Sequence, residues 1–112
     1  MRIGSNFQQN FCGTVRLGAN SEQAKRMTKQ MANTEYETAV LTTIARTMRA
    51  LSKPQVKGDF FLTYEKDNTV SVYNRQSLAK PISSYTITSN DSDIVKTAVE
   101  TLCKVATTNY GK

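Results

Sequence analysis

The chain has no histidine and no tryptophan. The missing imidazole removes Ser-His-Asp and Cys-His nucleophile systems, the histidine general base and histidine metal ligands together. Only two cysteines occur, Cys12 and Cys103. They stand far apart without a CxxC neighbour, so they cannot form a structural zinc site alone. Both read as ordinary thiols that pack as small hydrophobes, and a disulfide between them would need an oxidising compartment. The five glycines are scattered, which leaves no Gly-rich phosphate loop, and the two prolines, Pro54 and Pro81, fall where segments end. No apolar run approaches the ~20 residues that cross a bilayer. Met1 to Asn10 lacks the apolar stretch of a signal peptide, so the cytoplasm is the expected location and no membrane contact is expected. The acids form no catalytic constellation: Asp59, Glu65 and Asp67 collect at a turn, and Asp91 and Asp93 are accounted for by a helix start. Cys103 lies beside Lys104 but has no histidine to act as its base. These absences read as a non-enzymatic protein without metal or cofactor.

What is present bounds the fold. A chain of 112 residues is one domain. Leu, Ile, Val and Phe number 23, just above the range in which chains fail to collapse. Thr, Ser, Asn and Gln number 38, of which fifteen are Thr, a polar surface made with few charges. Residues 1–10 read as a flexible tail and 11–112 as a single domain.

Hydrophobic period then assigns the elements. Residues 11–17 alternate with period two, Phe11, Val15 and Leu17 to one side and Cys12, Thr14 and Arg16 to the other, which predicts a half-buried strand. Asn20 or Ser21 caps a long helical stretch to about Ser52. Its second half carries Val40, Leu41, Ile44, Met48 and Leu51 on one face, whereas its first half carries Ala24, Met27 and Met31. At 100° per residue the two stripes are about 120° out of phase, so the helix bends or stops near Asn33–Thr34 or its first half packs elsewhere; a break is the favoured reading. Residues 59–75 form a hairpin with Leu62 opposite Val72, Tyr64 opposite Val70 and Phe61 opposite Tyr73. Lys66-Asp67-Asn68 is its turn, with Asn68 left-handed. Ile82 to Thr88 is a further strand. Asn90 caps a last helix with the stripe Ile94, Val95, Ala98, Leu102, Val105 and Ala106. The order β, long or broken α, β, β, β, α predicts an α+β two-layer sandwich, an antiparallel sheet with helices on one face.

Charge is distributed unevenly. Net charge is +6, and all of the excess falls in residues 1–57, since residues 58–112 balance to zero. Arg46, Arg49 and Lys53 recur at i, i+3, i+7, Lys57 continues them, and Lys25, Arg26 and Lys29 form a second cluster. No acid lies between Glu37 and Asp59 to pair with the first group. These seven residues are the candidate site for nucleic acid or an acidic protein. Phe61 and Tyr73, on the sheet face away from the core, are candidates for stacking on bases or for an interface. The α-β-β-β-α order from about residue 36 to 106 is similar to that of a double-stranded-RNA-binding domain. That family opens its second helix on Lys or Arg, whereas Asn90-Asp91-Ser92-Asp93 here is acidic, so the resemblance stops at element order. The sequence therefore predicts a small binding protein that holds an acidic macromolecule, nucleic acid foremost, on a basic helix face. The alternative is a protein-interaction or inhibitor module that pairs as a homodimer.

Overall fold

A computed structural model describes residues 14–18 and 21–109. The elements are β1 (Thr14–Leu17), α1 (Ser21–Ala32), α2 (Glu37–Leu51), β2 (Asp59–Glu65), β3 (Thr69–Asn74), β4 (Ser83–Thr86) and α3 (Ser92–Asn109). The tail expected over 1–10, Cys12 and the Asn20 cap lie outside the described residues. The four strands form one sheet in the order β1-β2-β3-β4. Its inward residues Phe60, Leu62, Val70 and Val72 share one core with Met27 and Met31 of α1, Val40, Ile44 and Leu51 of α2, and Val95, Ala98, Leu102 and Ala106 of α3. This is the predicted α+β arrangement, with one difference in strand sense. β1 pairs β2 in parallel, and the other two pairings are antiparallel, so the sheet is mixed. The cause is the long connection: the chain leaves the end of β1, passes through two helices and re-enters at the start of β2, as a parallel crossover requires.

The hairpin forms in the predicted register, with Phe61 opposite Tyr73, Leu62 opposite Val72 and Tyr64 opposite Val70. Its turn takes two left-handed residues rather than one, Asp67 at φ 62° and Asn68 at φ 63°. Asp and Asn tolerate that region better than other non-glycine residues. Gly18 is left-handed at φ 78°, and a Cβ there would stand 3.2 Å from both the Ala24 nitrogen and the Met27 sulfur. Its bare backbone lets α1 start directly against the end of β1, while its own N–H donates to the Leu62 carbonyl at 2.8 Å.

The long helical stretch breaks where the two stripes fall out of phase, between Ala32 and Glu37. The Thr34 hydroxyl, the Tyr64 hydroxyl and the Asn68 side chain form a hydrogen-bonded cluster that pins this break to the hairpin turn. The buried face of α2 is Ala39, Val40, Thr43, Ile44, Thr47 and Leu51, with Leu41 and Met48 only half-buried at its margin. It is rotated by about 70° from the stripe the sequence suggests. Ala39, Thr43 and Thr47 take the places of Leu41 and Met48 on it. Thr43 and Thr47 are fully buried, and neither hydroxyl has a hydrogen-bond partner among the described residues.

Asn90 caps a helix, but not the one expected. Its Oδ1 accepts the N–H of Ala39 at 3.2 Å, in the first turn of α2, which lacks a side-chain cap of its own. α3 is capped instead by Asp91, whose Oδ1 accepts the Asp93 N–H at 2.9 Å and whose carbonyl accepts the N–H groups of Ile94 and Val95. The starts of α2 and α3 therefore lie together, and the two helices run side by side in the same direction.

Two substitutions test this packing by urea denaturation. Leu62→Ala should cost roughly 2–5 kcal/mol, as for any fully buried leucine. Thr47→Val should raise stability by about 1 kcal/mol, because a methyl replaces a buried hydroxyl that has no partner. A loss on Thr47→Val would show that the hydroxyl is satisfied.

Candidate functional site

The parallel course of α2 and α3 decides which charges meet. Strands β2 and β4 run in one sense and the two helices run back against them, so the sheet has two chemically different ends. At one end lie the hairpin turn, the break before α2, the end of β4 and the start of α3. The Asn68 carbonyl accepts the Ile87 N–H at 2.8 Å there, and Asn90 reaches Ala39. Glu35, Glu37, Glu65, Asp67, Asp91 and Asp93 belong to this end, six of the chain's nine acids.

At the other end lie the last turn of α2, the start of β2, the β3–β4 loop and the later turns of α3. The Arg75 N–H donates to the Asp59 carbonyl at 3.0 Å, and the Ser83 hydroxyl donates to the Leu102 carbonyl at 3.1 Å. Lys53 stands close enough to the Cys103 thiol for its charge to act on it. Arg49, Lys53, Lys57, Arg75, Lys80 and Lys104 gather here, with Arg46 one turn back along α2, and all seven are exposed. On α2 the direction of Arg46 and Arg49 is about 130° from the centre of the buried face, so they point to solvent along one flank.

The structure thus brings Arg46, Arg49, Lys53 and Lys57 together and adds three residues that the sequence reading did not include, Arg75, Lys80 and Lys104. It does not unite them with Lys25, Arg26 and Lys29. Those three are exposed on α1, roughly opposite its buried Met27 and Met31, and α1 runs from the end of β1 towards the hairpin turn.

Part of this polarity is structural. Glu37 and Asp93 lie in the first turns of α2 and α3, and Arg49 lies in the last turn of α2, where each complements the helix dipole. Such terms are worth about 0.3–1 kcal/mol each. They do not account for Lys57, Arg75 and Lys80, which come from loops or a strand end.

Phe61 and Tyr73 lie on the outer face of the sheet, as expected, but they stack on each other, with ring centroids 5.3 Å apart and planes 13° from parallel. Phe61 is only 7% exposed, because Arg16 on β1 and Tyr73 on β3 flank it on either side. Phe61 is therefore closed off, whereas Tyr73 is half-buried with one ring face against Phe61. Burial pushes the Tyr73 hydroxyl pKa up, and the Glu65 charge adds to that. Burial likewise raises the Cys103 thiol, while the Lys53 cation opposes the rise. A thiol held protonated is a poor nucleophile. Among the described residues no group of three Cys, Asp or Glu side chains is placed to hold a metal ion, and no helix is long and apolar enough to cross a membrane.

Comparison with protein-family models, with curated proteins and with solved structures finds no match. The surface itself is therefore the guide to function. It offers exposed cations from several elements at one end of the sheet, a chemistry that suits phosphate contacts.

The Cys103–Lys53 proximity gives a pH test in a Cys12→Ser background. The alkylation rate of Cys103 should rise with pH around a midpoint above that of a free thiol. Lys53→Gln removes the opposing cation, so the midpoint should move further up; a shift downward would contradict the arrangement of α2 against α3.

Proposed function

We propose that the chain is a non-enzymatic cytoplasmic binding protein that holds a polyanion, nucleic acid foremost, against its basic end. The observation that carries this reading is the placement of seven exposed Lys and Arg residues of α2, two loops and α3 towards the end of the sheet away from six of the nine acids. Cations from separate elements present a broad positive surface, and the acids at the far end orient the molecule in the field of its partner. Binding proceeds by displacement of condensed counterions. With four to six phosphates neutralised, the log–log salt slope should lie at roughly −3 to −5. Sequence preference should be weak, since flexible cationic side chains reach phosphates more readily than base edges. An acidic protein would meet the same surface with a smaller and less regular salt dependence. A homodimer that uses the outer sheet face is the second reading. It is supported by the stacked Phe61–Tyr73 pair and the Ser71–Ser84 and Thr69–Thr86 hydroxyl pairs on a face that no described helix covers.

Two charge reversals of equal size separate the basic end from net charge. Lys53→Glu with Lys57→Glu and Arg75→Glu should lower affinity for a generic oligonucleotide at low salt by about tenfold or more. The slope should flatten by about 0.7–0.9 per lost contact. Lys25→Glu with Arg26→Glu and Lys29→Glu should cost clearly less. Circular dichroism should be unchanged for both, as exposed substitutions shift stability by about 0.5 kcal/mol or less each. Equal losses from both sets, or no binding by the wild-type protein at low salt, would reject the basic end as the site.

A further inference from the structure

The outer face of the sheet is more deeply buried than its own side chains explain. Thr63 is 8% exposed and Ser71 1%, and both alternate with the inward residues Leu62, Val70 and Val72, so they lie on the side away from the helices. Their neighbours are small. Ser71 lies between Thr63 on β2 and Ser84 on β4. Thr63 has Ser71 on one side and, past the end of β1, only Gly18 on the other. Side chains this short do not close a serine and a threonine off from solvent on an open face. The Thr63 hydroxyl is buried as well, without a hydrogen-bond partner among the described residues. Around the buried patch of Phe61, Thr63 and Ser71 stand the exposed Arg16, Glu65, Ser84 and Thr86. A closed centre within an open rim is the pattern of a face with a segment laid across it.

The chain outside the described residues falls in three stretches, and one of them fits. Residues 19–20 only join β1 to α1 on the helix side. Residues 110–112 follow α3 on that same side, and three residues reach about 10 Å at most. Residues 1–13 lead directly into Thr14, the first residue of β1, which is an edge strand of the sheet. That length reaches about 20 Å even when helical, against about 14 Å from β1 across to β4. Its apolar residues Ile3, Phe7 and Phe11 recur every four positions, a spacing that puts them on one side of either a helix or an extended chain. Asn6, Gln8, Gln9 and Asn10 stand between them, with amides suited to the Thr63 hydroxyl. Gly13 allows a sharp change of direction where the segment meets β1.

We propose that residues 1–13 fold back over the outer face and lay Ile3, Phe7 and Phe11 against Phe61, Thr63 and Ser71. The patch is apolar at Phe61 and polar at Thr63 and Ser71, and the segment has the matching mixture of large apolar residues among amides. Arg2 is its only charged side chain, so docking takes little charge out of water. The occupant is this segment rather than a second copy because of tethering. A segment joined to Thr14 meets the face at an effective concentration of about millimolar, which a second copy has to reach in free solution. This goes beyond the basic-end reading and does not rest on it. It puts an intramolecular cover where the dimer reading puts a partner.

The test uses the full chain carrying Cys12→Ser, Cys103→Ser and Ser71→Cys, which leaves one thiol at the centre of the face. Its alkylation under native conditions should be slow and independent of protein concentration. Adding Ile3→Ser, Phe7→Ser and Phe11→Ser should speed it by about tenfold or more, since burial of a single Phe side chain is worth that much. A thiol that reacts as fast as in urea before those three changes, or no acceleration after them, would overturn the inference. Protection that grows with protein concentration, together with a dimer in sedimentation, would assign the face to a second copy and overturn it too. The unsubstituted protein gives a second measurement, which holds even if the variant fails to fold. In a dilute sample, nuclear Overhauser effects should connect the ring protons of Phe7 or Phe11 with the Thr63 methyl group. Their absence would overturn the inference.

Discussion

Much of this molecule follows from two helices forced to run in the same direction over one sheet. The hairpin turns β3 back against β2, and β4 turns back again, so α3 has to return antiparallel to β4. α2 returns antiparallel to β2, because β2 pairs in parallel with β1. The two helices thus start together beside Asn90 and finish together beside Cys103. Their dipoles add rather than cancel, and a sheet otherwise symmetric in character acquires a positive backbone pole and a negative one. Six of the nine acids lie at the first, beside Lys66, and seven bases lie at the second, beside Asp59. Loop residues with no helix to complement then extend the basic pole well beyond what the dipoles require.

α2 and α3 both bury small side chains. Ala39, Thr43 and Thr47 on α2, and Ala98 and Ala106 on α3, are all buried completely or nearly so. The hydroxyls of Thr43 and Thr47 have no partner among the described residues. The outer face of the sheet is built differently, from cross-strand pairs: an aromatic stack in the middle and hydroxyl pairs towards β4. One face of the sheet is held by apolar burial and the other by neighbours within the sheet itself.

How far these features could be read in advance depends on how local their causes are. The hairpin register is written in the alternation from Leu62 to Glu65 and back from Thr69 to Val72, and the structure has the same pairs. The helix break is legible as a phase conflict between Met27–Met31 and Ile44–Leu51. The true inward face of α2 was not legible, because hydropathy counts Thr43 and Thr47 as polar although their bulk is that of valine. Asn90 reads in sequence as the cap of the helix that follows it, because sequence proximity cannot reveal a side chain that accepts from another helix. The parallel sense of β1 was hidden for the same reason: four residues of alternation carry no direction. The basic end was half legible. Arg46, Arg49, Lys53 and Lys57 show as a helical series, while Arg75, Lys80 and Lys104 join them only through the path of the chain. Phe61 and Tyr73 were placed on the correct face, but alternation alone does not say that two rings will cover each other.

The Asn90 side chain has a consequence for how the chain becomes ordered. The first turn of α2 depends for one of its backbone donors on a residue that comes 51 positions later. A nascent α2 has that amide open to solvent until β4 and the segment after it have been laid down. Hydrogen exchange at Ala39 would accordingly report the docking of the carboxyl-terminal third of the chain rather than the local fraying of its own helix. The break before α2 is tied in turn to the hairpin turn through Thr34. The two ends of this helix's entry are thus fastened by separate, later segments, which joins the middle of the sequence to both halves of the sheet as one cooperative unit.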